Sequence, residues 1–274
     1  MKNKSAKKDL NKIIDAHCHL FYQPTLSKCK KILLKSMKKY NISYGIFSLD
    51  ATEVVLDDRD SSKAINTSWK KAFNIAINFK KHHKNLFALL WMKPKTTCKE
   101  DILKIDQYIK KHLKYIKGLK FHPFLSQTKM SDEIIKPYIQ IARKYKLPIL
   151  VHTAQDEYSD ISFLEKVAKK NKDVNFIAAH LNLLSDNQKA IEILERNSNI
   201  YGDTAWVDIK IIKQLKEKKL LHKIMFGSDN PVDGFDTLNN KMYQEYYKNS
   251  INLSSKEYNN LMFDNAKRIY KLNV

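Results

Sequence analysis

The sequence predicts an α/β protein, a (β/α)8 TIM barrel forming a single domain over residues 1–274, and two observations predict it. Short apolar runs of strand length alternate with longer stretches of helical period, which is the mark of βαβ units and a parallel sheet. The chain has 274 residues, and a barrel of eight such units takes about 250. The runs are Ile13 to His17, Ser43 to Leu49, Leu86 to Met92, Gly118 to His122, Pro148 to His152, Val174 to His180, Asn199 to Asp203 and Ile224 to Asp229. Eight of them suggest closure of the sheet on itself.

The intervening segments carry the helical period. From Ser131 to Lys146, Ile134, Tyr138, Ile141, Ala142 and Tyr145 fall on one stripe, while Lys136, Arg143 and Lys144 face elsewhere. Pro137 interrupts the stripe and marks the first turn of the true helix, where a missing N–H costs nothing. Ala64 to Lys81, Asp101 to Lys114, Asp160 to Lys170, Gln188 to Asn197 and Asp208 to Lys219 behave similarly, so helices would coat the barrel. The polar connection Leu49 to Ser68, with Asp57, Asp58, Arg59 and Asp60, is long enough to cover the barrel mouth.

Hydrophobic residues make up 43% and charged residues 29%, which fits an ordinary globular protein and excludes a disordered chain. No apolar run reaches the roughly 18 residues of a membrane span. Met1 to Lys12 reads as a flexible lysine-rich leader without the apolar stretch of a signal peptide, so a cytoplasmic location and no membrane partner are expected. Cys18, Cys29 and Cys98 have neither metal-finger nor redox spacing and read as reduced thiols. The net charge of +21 invites a nucleic-acid reading. Yet the only arginines are Arg59, Arg143, Arg196 and Arg268, and the lysines are scattered over nearly every predicted helix. That pattern describes a solvated basic surface, and no specific nucleic-acid partner is expected.

The histidines carry the chemistry. Period-two alternation in the first strand puts Asp15, His17 and His19 on one face and Ile14, Ala16 and Cys18 on the other. Two imidazoles on one strand face can be presented to a single ion. His152, His180 and Asp229 close the fifth, sixth and eighth runs, and the carboxyl ends of parallel barrel strands converge on one mouth. Imidazoles and a carboxylate gathered there suit a divalent transition metal such as zinc. Plainer readings stand beside these. A lone strand-end histidine such as His122 is often a hydrogen-bonded structural residue, and Asp229 could cap a helix beginning near Pro231. Cys18 reads as a small core residue facing the helix layer. His82, His83, His112 and His222 lie in lysine-rich stretches and read as solvated. Trp91, Trp206 and Phe124 either line a pocket or pack the core, and Asp203 and Thr204 have the same ambiguity.

Six motifs in order resemble the amidohydrolase superfamily, and in particular its amidohydrolase-related group of small-molecule hydrolases and some decarboxylases. They are Asp15-x-His17-x-His19, Gly118-Leu119-Lys120-Phe121-His122-Pro123, Leu147-Pro148-Ile149-Leu150-Val151-His152, Ala179-His180-Leu181, Phe226-Gly227-Ser228-Asp229-Asn230-Pro231 and Asn265-Ala266-Lys267-Arg268-Ile269-Tyr270. The resemblance implies that His17, His19, His152 and Asp229 hold the principal metal, one ion being favoured and two allowed. It implies that His180 either transfers protons beside a single ion or ligates a second one. Some superfamily members carry a carboxylated lysine or a glutamate after the fourth strand as a metal bridge. Here Lys120 and His122 share a strand face, and contact with substrate is the reading adopted for both.

The function implied is a metal-dependent hydrolase that uses a metal-activated water on a small substrate. Asp229 would accept the water proton and pass it to the leaving group, while His180 would stabilise developing charge or shuttle the proton. The positive character of Lys120 and His122 points to a carboxylate-bearing small molecule. The same group also performs decarboxylation and C–C bond cleavage, which is the alternative. A TatD-like nuclease would carry glutamate where Lys120 stands. A catalytically idle barrel binding nucleic acid or an anionic partner would bind through its lysines in a steeply salt-dependent way. Oligomeric state stays open, a homo-oligomer included.

Overall fold

The computed structural model describes residues 12–22, 25–51 and 67–274. Most of the predicted leader, and residues 52–66 of the predicted mouth-covering connection, lie outside the described residues. Eight parallel strands stand in chain order: β1 (Ile14–Leu20), β2 (Tyr44–Leu49), β3 (Leu86–Trp91), β4 (Ile116–Phe121), β5 (Ile149–Ala154), β6 (Phe176–Leu183), β7 (Ile200–Asp203) and β8 (Ile224–Met225). Backbone hydrogen bonds complete the ring between its two ends. Ala16 N donates to Phe226 O (2.8 Å), Asp229 N to His17 O (2.7 Å) and His19 N to Asn230 O (2.9 Å). The fold is the TIM barrel that the alternation predicts.

Helices fill the connections: α1 (Leu26–Lys39), α2 (Trp69–His82), α3 (Lys99–His112), the short α4 (Pro123–Ser126), α5 (Lys136–Tyr145), α6 (Ile161–Lys170), α7 (Gln188–Arg196) and α8 (Ile209–Glu217). Their starts follow local chemistry. Ser68, Asp160 and Asp208 accept from the exposed backbone N–H groups of Lys71, Ser162 and Lys210, and Pro137 sits in the first turn of α5 as expected. No helix is read from the sequence before β2, because the buried positions of α1 (Cys29, Leu33, Met37) are crowded by lysines. After β8 come α9 (Lys241–Tyr247), α10 (Ser255–Asn259), a π turn over Asn260–Asp264 and α11 (Asn265–Ile269). Phe263, Ala266, Ile269 and Tyr270 from this last segment pack with Ile14, Ile46, Phe87, Leu150, Ile177 and Met225, plugging the amino-terminal end of the barrel. The larger apolar cluster lies between sheet and helices.

One expectation about strand faces is corrected. Ile14 and Ala16 belong to the cluster inside the barrel, whereas Cys18 and Leu20 belong to the outer one. The pairing of β1 with β2 shifts between Asp15 and Cys18, so a β-bulge breaks simple alternation at this point. Asp15 therefore does not share a face with His17 and His19. A bulge inserts one residue and re-aims the side chains beyond it.

Two interactions outside the mouth yield predictions. Glu165 of α6 is 8% exposed and accepts from Arg196 Nε (2.6 Å), Arg196 Nη2 (2.9 Å) and Asn197 Nδ2 (2.9 Å). The Arg196 bonds outweigh burial and hold its carboxyl far below the ordinary value of 4.5. Because the folded value is depressed, the stabilisation is present above about pH 4.5 and is lost as pH falls toward the folded value. The Arg196 side chain is half exposed, so Glu165→Gln should cost only about 1–2 kcal/mol at pH 7. Urea titrations at pH 7 and pH 3.5 check this, and the gap between variant and parent should narrow at the lower pH. Gly227 allows a close approach: a Cβ there would stand 2.9 Å from His17 Cβ and 3.1 Å from Asp203 Cβ. Gly227→Ala should cost about 1–3 kcal/mol in the same assay.

Candidate metal centre

The bulge in β1 sends His17 and His19 toward the barrel axis, and the segment after β8 brings Asp229 to meet them. Asp15 braces this junction. Its carboxylate accepts from His17 N (3.2 Å), Ser228 N (3.0 Å) and the Ser228 hydroxyl. Burial pushes Asp15 up to about 7. His17 Nε2 and His19 Nε2 lie 2.9 Å apart, and Asp229 Oδ1 stands 3.2 Å from the first and 3.0 Å from the second. Donor atoms bound to a small divalent ion at about 2.0–2.2 Å stand about 3.0–3.5 Å from one another, so this triangle has the size of a metal site.

The protonation states fit as well. His19 Nδ1 is bonded to Ser48 Oγ (3.1 Å), and His17 Nδ1 lies 2.9 Å from Asp203 Oδ2, off the axis of a linear hydrogen bond. Engaging the far nitrogens leaves both Nε2 atoms free to act as donors toward a common point. Burial, aided by the Lys120 charge, lowers both histidines against the pull of Asp229, a shift toward the neutral form a metal requires. Burial alone would raise Asp229, but His17 and His19 overcome it and hold the carboxyl well below its usual range. Lys120 Nζ sits 3.2 Å from His17 Nε2, so an ammonium already stands beside these donors. Burial drives Lys120 down to about 8, against the pull of Asp229 and Asp203.

His180 has a left-handed backbone (φ 66°), as does Asp229 (φ 60°), a conformation rare for such residues and common at functional sites. Its backbone N–H donates to Asp203 Oδ1 (3.1 Å), and its Nδ1 is 3.1 Å from Ala205 O. A carbonyl only accepts, so Nδ1 carries the proton and Nε2 is the free acceptor. Burial lowers His180 to about 4. Its ring centre is 5.1 Å from that of His17 and 4.9 Å from that of His152. His17, His180 and Asp203 form a second group of close donors. Asp203 is occupied there by His180 N, Ala205 N (3.1 Å) and His17, so it acts as a brace between β1, β6 and β7.

His152 and His122 are half-buried and stack face to face, 3.8 Å between centres and 13° between planes. Trp91 packs on His122 at 5.7 Å, and the His122 ring also accepts from Leu125 N (3.3 Å), capping α4. The donor atoms of His152 join neither close group. The structure thus gathers His17, His19, Asp229, His180 and Lys120 tightly and sets His152 and His122 beside His180. Phe124 is 40% exposed and belongs to no core. His82, His83, His112 and His222 lie away on or beside helices. Asp203, Ser48 and Trp206 are the supporting residues that sequence reading did not assign. For Asp203 the available signal was its place at the end of β7, equivalent to that of the histidines ending other strands.

Residues 14–272 match the family model described as "Amidohydrolase". The chain belongs to the amidohydrolase family. Among curated proteins, none matches the sequence. Among solved structures, a 5-carboxyvanillate decarboxylase from Novosphingobium aromaticivorans, with bound manganese, superposes with a TM-score of 0.71 at 12% identity, covering 99% of this chain and 100% of that one. A 5-carboxyvanillate decarboxylase from Sphingomonas paucimobilis gives 0.66 at 11% identity, with 96% and 100% covered. A protein described as a probable 2-pyrone-4,6-dicarboxylic acid hydrolase from Acinetobacter baumannii, with citric acid bound, gives 0.65 at 14% identity, with 95% and 99% covered. At such identities the likeness shows the barrel fold. Among the described residues of this amidohydrolase, no helix is long and apolar enough to cross a membrane.

Proposed function

We propose that this amidohydrolase holds one divalent cation between His17, His19 and Asp229 and hydrolyses a small carboxylate-bearing molecule. The observation that carries the reading is the triangle of His17 Nε2, His19 Nε2 and Asp229 Oδ1, with edges of 2.9–3.2 Å. His152 is assigned as the further protein ligand that the family motif implies. Zinc suits the nitrogen-rich donor set, and manganese is the ion bound in the Novosphingobium decarboxylase. A divalent ion at this position supplies an acidified water and polarises a substrate oxygen.

The remaining work falls to side chains. Asp229 is ionised and placed to accept a proton, and His180 offers Nε2 to carry one toward the leaving group. Lys120 and His122 hold the substrate carboxylate, Lys120 through a charge-assisted hydrogen bond. Chelator treatment should abolish turnover, and added zinc or manganese should restore it.

Decarboxylation is the second reading, favoured by the buried Lys120 ammonium, which can hold a carboxylate inside the barrel. Assays in 18O-labelled water with 2-pyrone-4,6-dicarboxylate and 5-carboxyvanillate separate the two. Hydrolysis puts solvent oxygen into the product. Release of carbon dioxide without label in the organic product would replace the hydrolytic reading by the decarboxylase one.

A further inference from the structure

Asp229 uses only one oxygen in the triangle. Its other oxygen, Oδ2, accepts from the indole Nε1 of Trp206 at 2.9 Å. Trp206 follows β7 and has a left-handed backbone, φ 58°, which a bulky residue rarely adopts unless its surroundings enforce it. The enforcement is visible. Trp206 N donates to Tyr243 Oη (3.1 Å), and Tyr243 Oη donates to Ser228 O (2.8 Å), the carbonyl just before Asp229. Tyr243 is fully buried on α9. Main chain and side chain of Trp206 therefore hold the Ser228–Asp229 segment at two points.

We infer that Trp206 is the positioning residue of the metal centre: its indole N–H claims Asp229 Oδ2, so that Oδ1 alone is presented to the cation. This rests on the metal-centre reading above. An indole N–H is a single directed donor with no acceptor capacity, so it fixes the carboxylate plane and opposes two-oxygen binding. Trp206 also packs edge-on to Tyr243, with ring centres 6.3 Å apart, and a phenyl ring could serve that packing equally well. Phenylalanine cannot serve the hydrogen bond, so Trp206→Phe separates the two roles.

The test is calorimetric titration of chelator-stripped, full-length protein with Mn2+, alongside indole 15N–1H spectra of the wild type during titration with Zn2+. The three indole signals are assigned with Trp69→Phe and Trp91→Phe. Removing a residue that orients a ligand typically costs 10–100-fold in metal affinity, so Trp206→Phe should bind Mn2+ about 10-fold more weakly while melting like the parent. The Trp206 indole signal should shift and saturate with Zn2+, and the Trp69 signal should stay in place. Equal Mn2+ affinity in a folded Trp206→Phe, or an indole signal of Trp206 unmoved at saturating Zn2+, overturns the assignment alone. The spectra need no variant at position 206, so they decide even if that variant fails to fold. A wild type that takes up neither ion overturns the metal centre and this assignment with it.

Discussion

Purified His17→Ala is expected to contain less than about a tenth of the divalent metal carried by the parent and to turn over at least about 10³-fold more slowly, equivalent to about 4 kcal/mol of lost transition-state stabilisation. His17 stands at the middle of the donor cluster. Its Nε2 faces His19, Asp229 and Lys120, and its Nδ1 faces Asp203. Deleting the ring takes the His17 contact from Asp203 Oδ2, leaving Oδ1 with His180 N and Ala205 N, and removes one corner of the donor triangle. Metal content by plasma mass spectrometry and turnover on whichever substrate the labelled-water assays identify check the expectation, with circular dichroism confirming the fold. A folded variant with undiminished metal would refute it.

The second large effect separates chemistry from metal binding. His180→Asn should keep the metal at parental stoichiometry and lower kcat by about 10²–10⁴-fold, the usual span for a lost proton-transfer group. Asparagine is chosen because it tolerates the left-handed backbone at φ 66° better than most residues. Asp203 holds position 180 through its backbone N–H, which the substitution leaves intact. If kcat survives, His180 does not move the proton. If the metal is lost, His180 is instead a ligand.

The fold was legible because apolar runs and turn chemistry are local properties. All eight strands appear where the alternation places them, with ends differing by a few residues. Larger differences arise where Cys18 to Leu20 prolong β1 and Leu181 to Leu183 prolong β6, because His19 and Asn182 interrupt the apolar pattern there, and where β8 stops at Met225 although the run was read to Asp229. The bulge near Asp15 was not legible. Alternation assumes an even pleat, and only the pairing with β2 and the ties to Ser228 reveal the extra residue. His17, His19 and Asp229 could be nominated from strand ends and family motifs. Asp203 closes the seventh run as the histidines close others, but its bracing role stays open between pocket lining and core packing until its distance to His17 is known. Trp206 is a similar case: its indole bond to Asp229 joins β7 to β8 in space, across 23 residues of sequence.

The account turns on one cation shared by three donor atoms. Anomalous diffraction at the manganese edge, from crystals grown with Mn2+, tests it most directly. A single strong peak bonded to His17 Nε2, His19 Nε2 and Asp229 Oδ1 at about 2.0–2.3 Å is the predicted result. A map without a peak there, or with manganese held only elsewhere on the barrel, would contradict it.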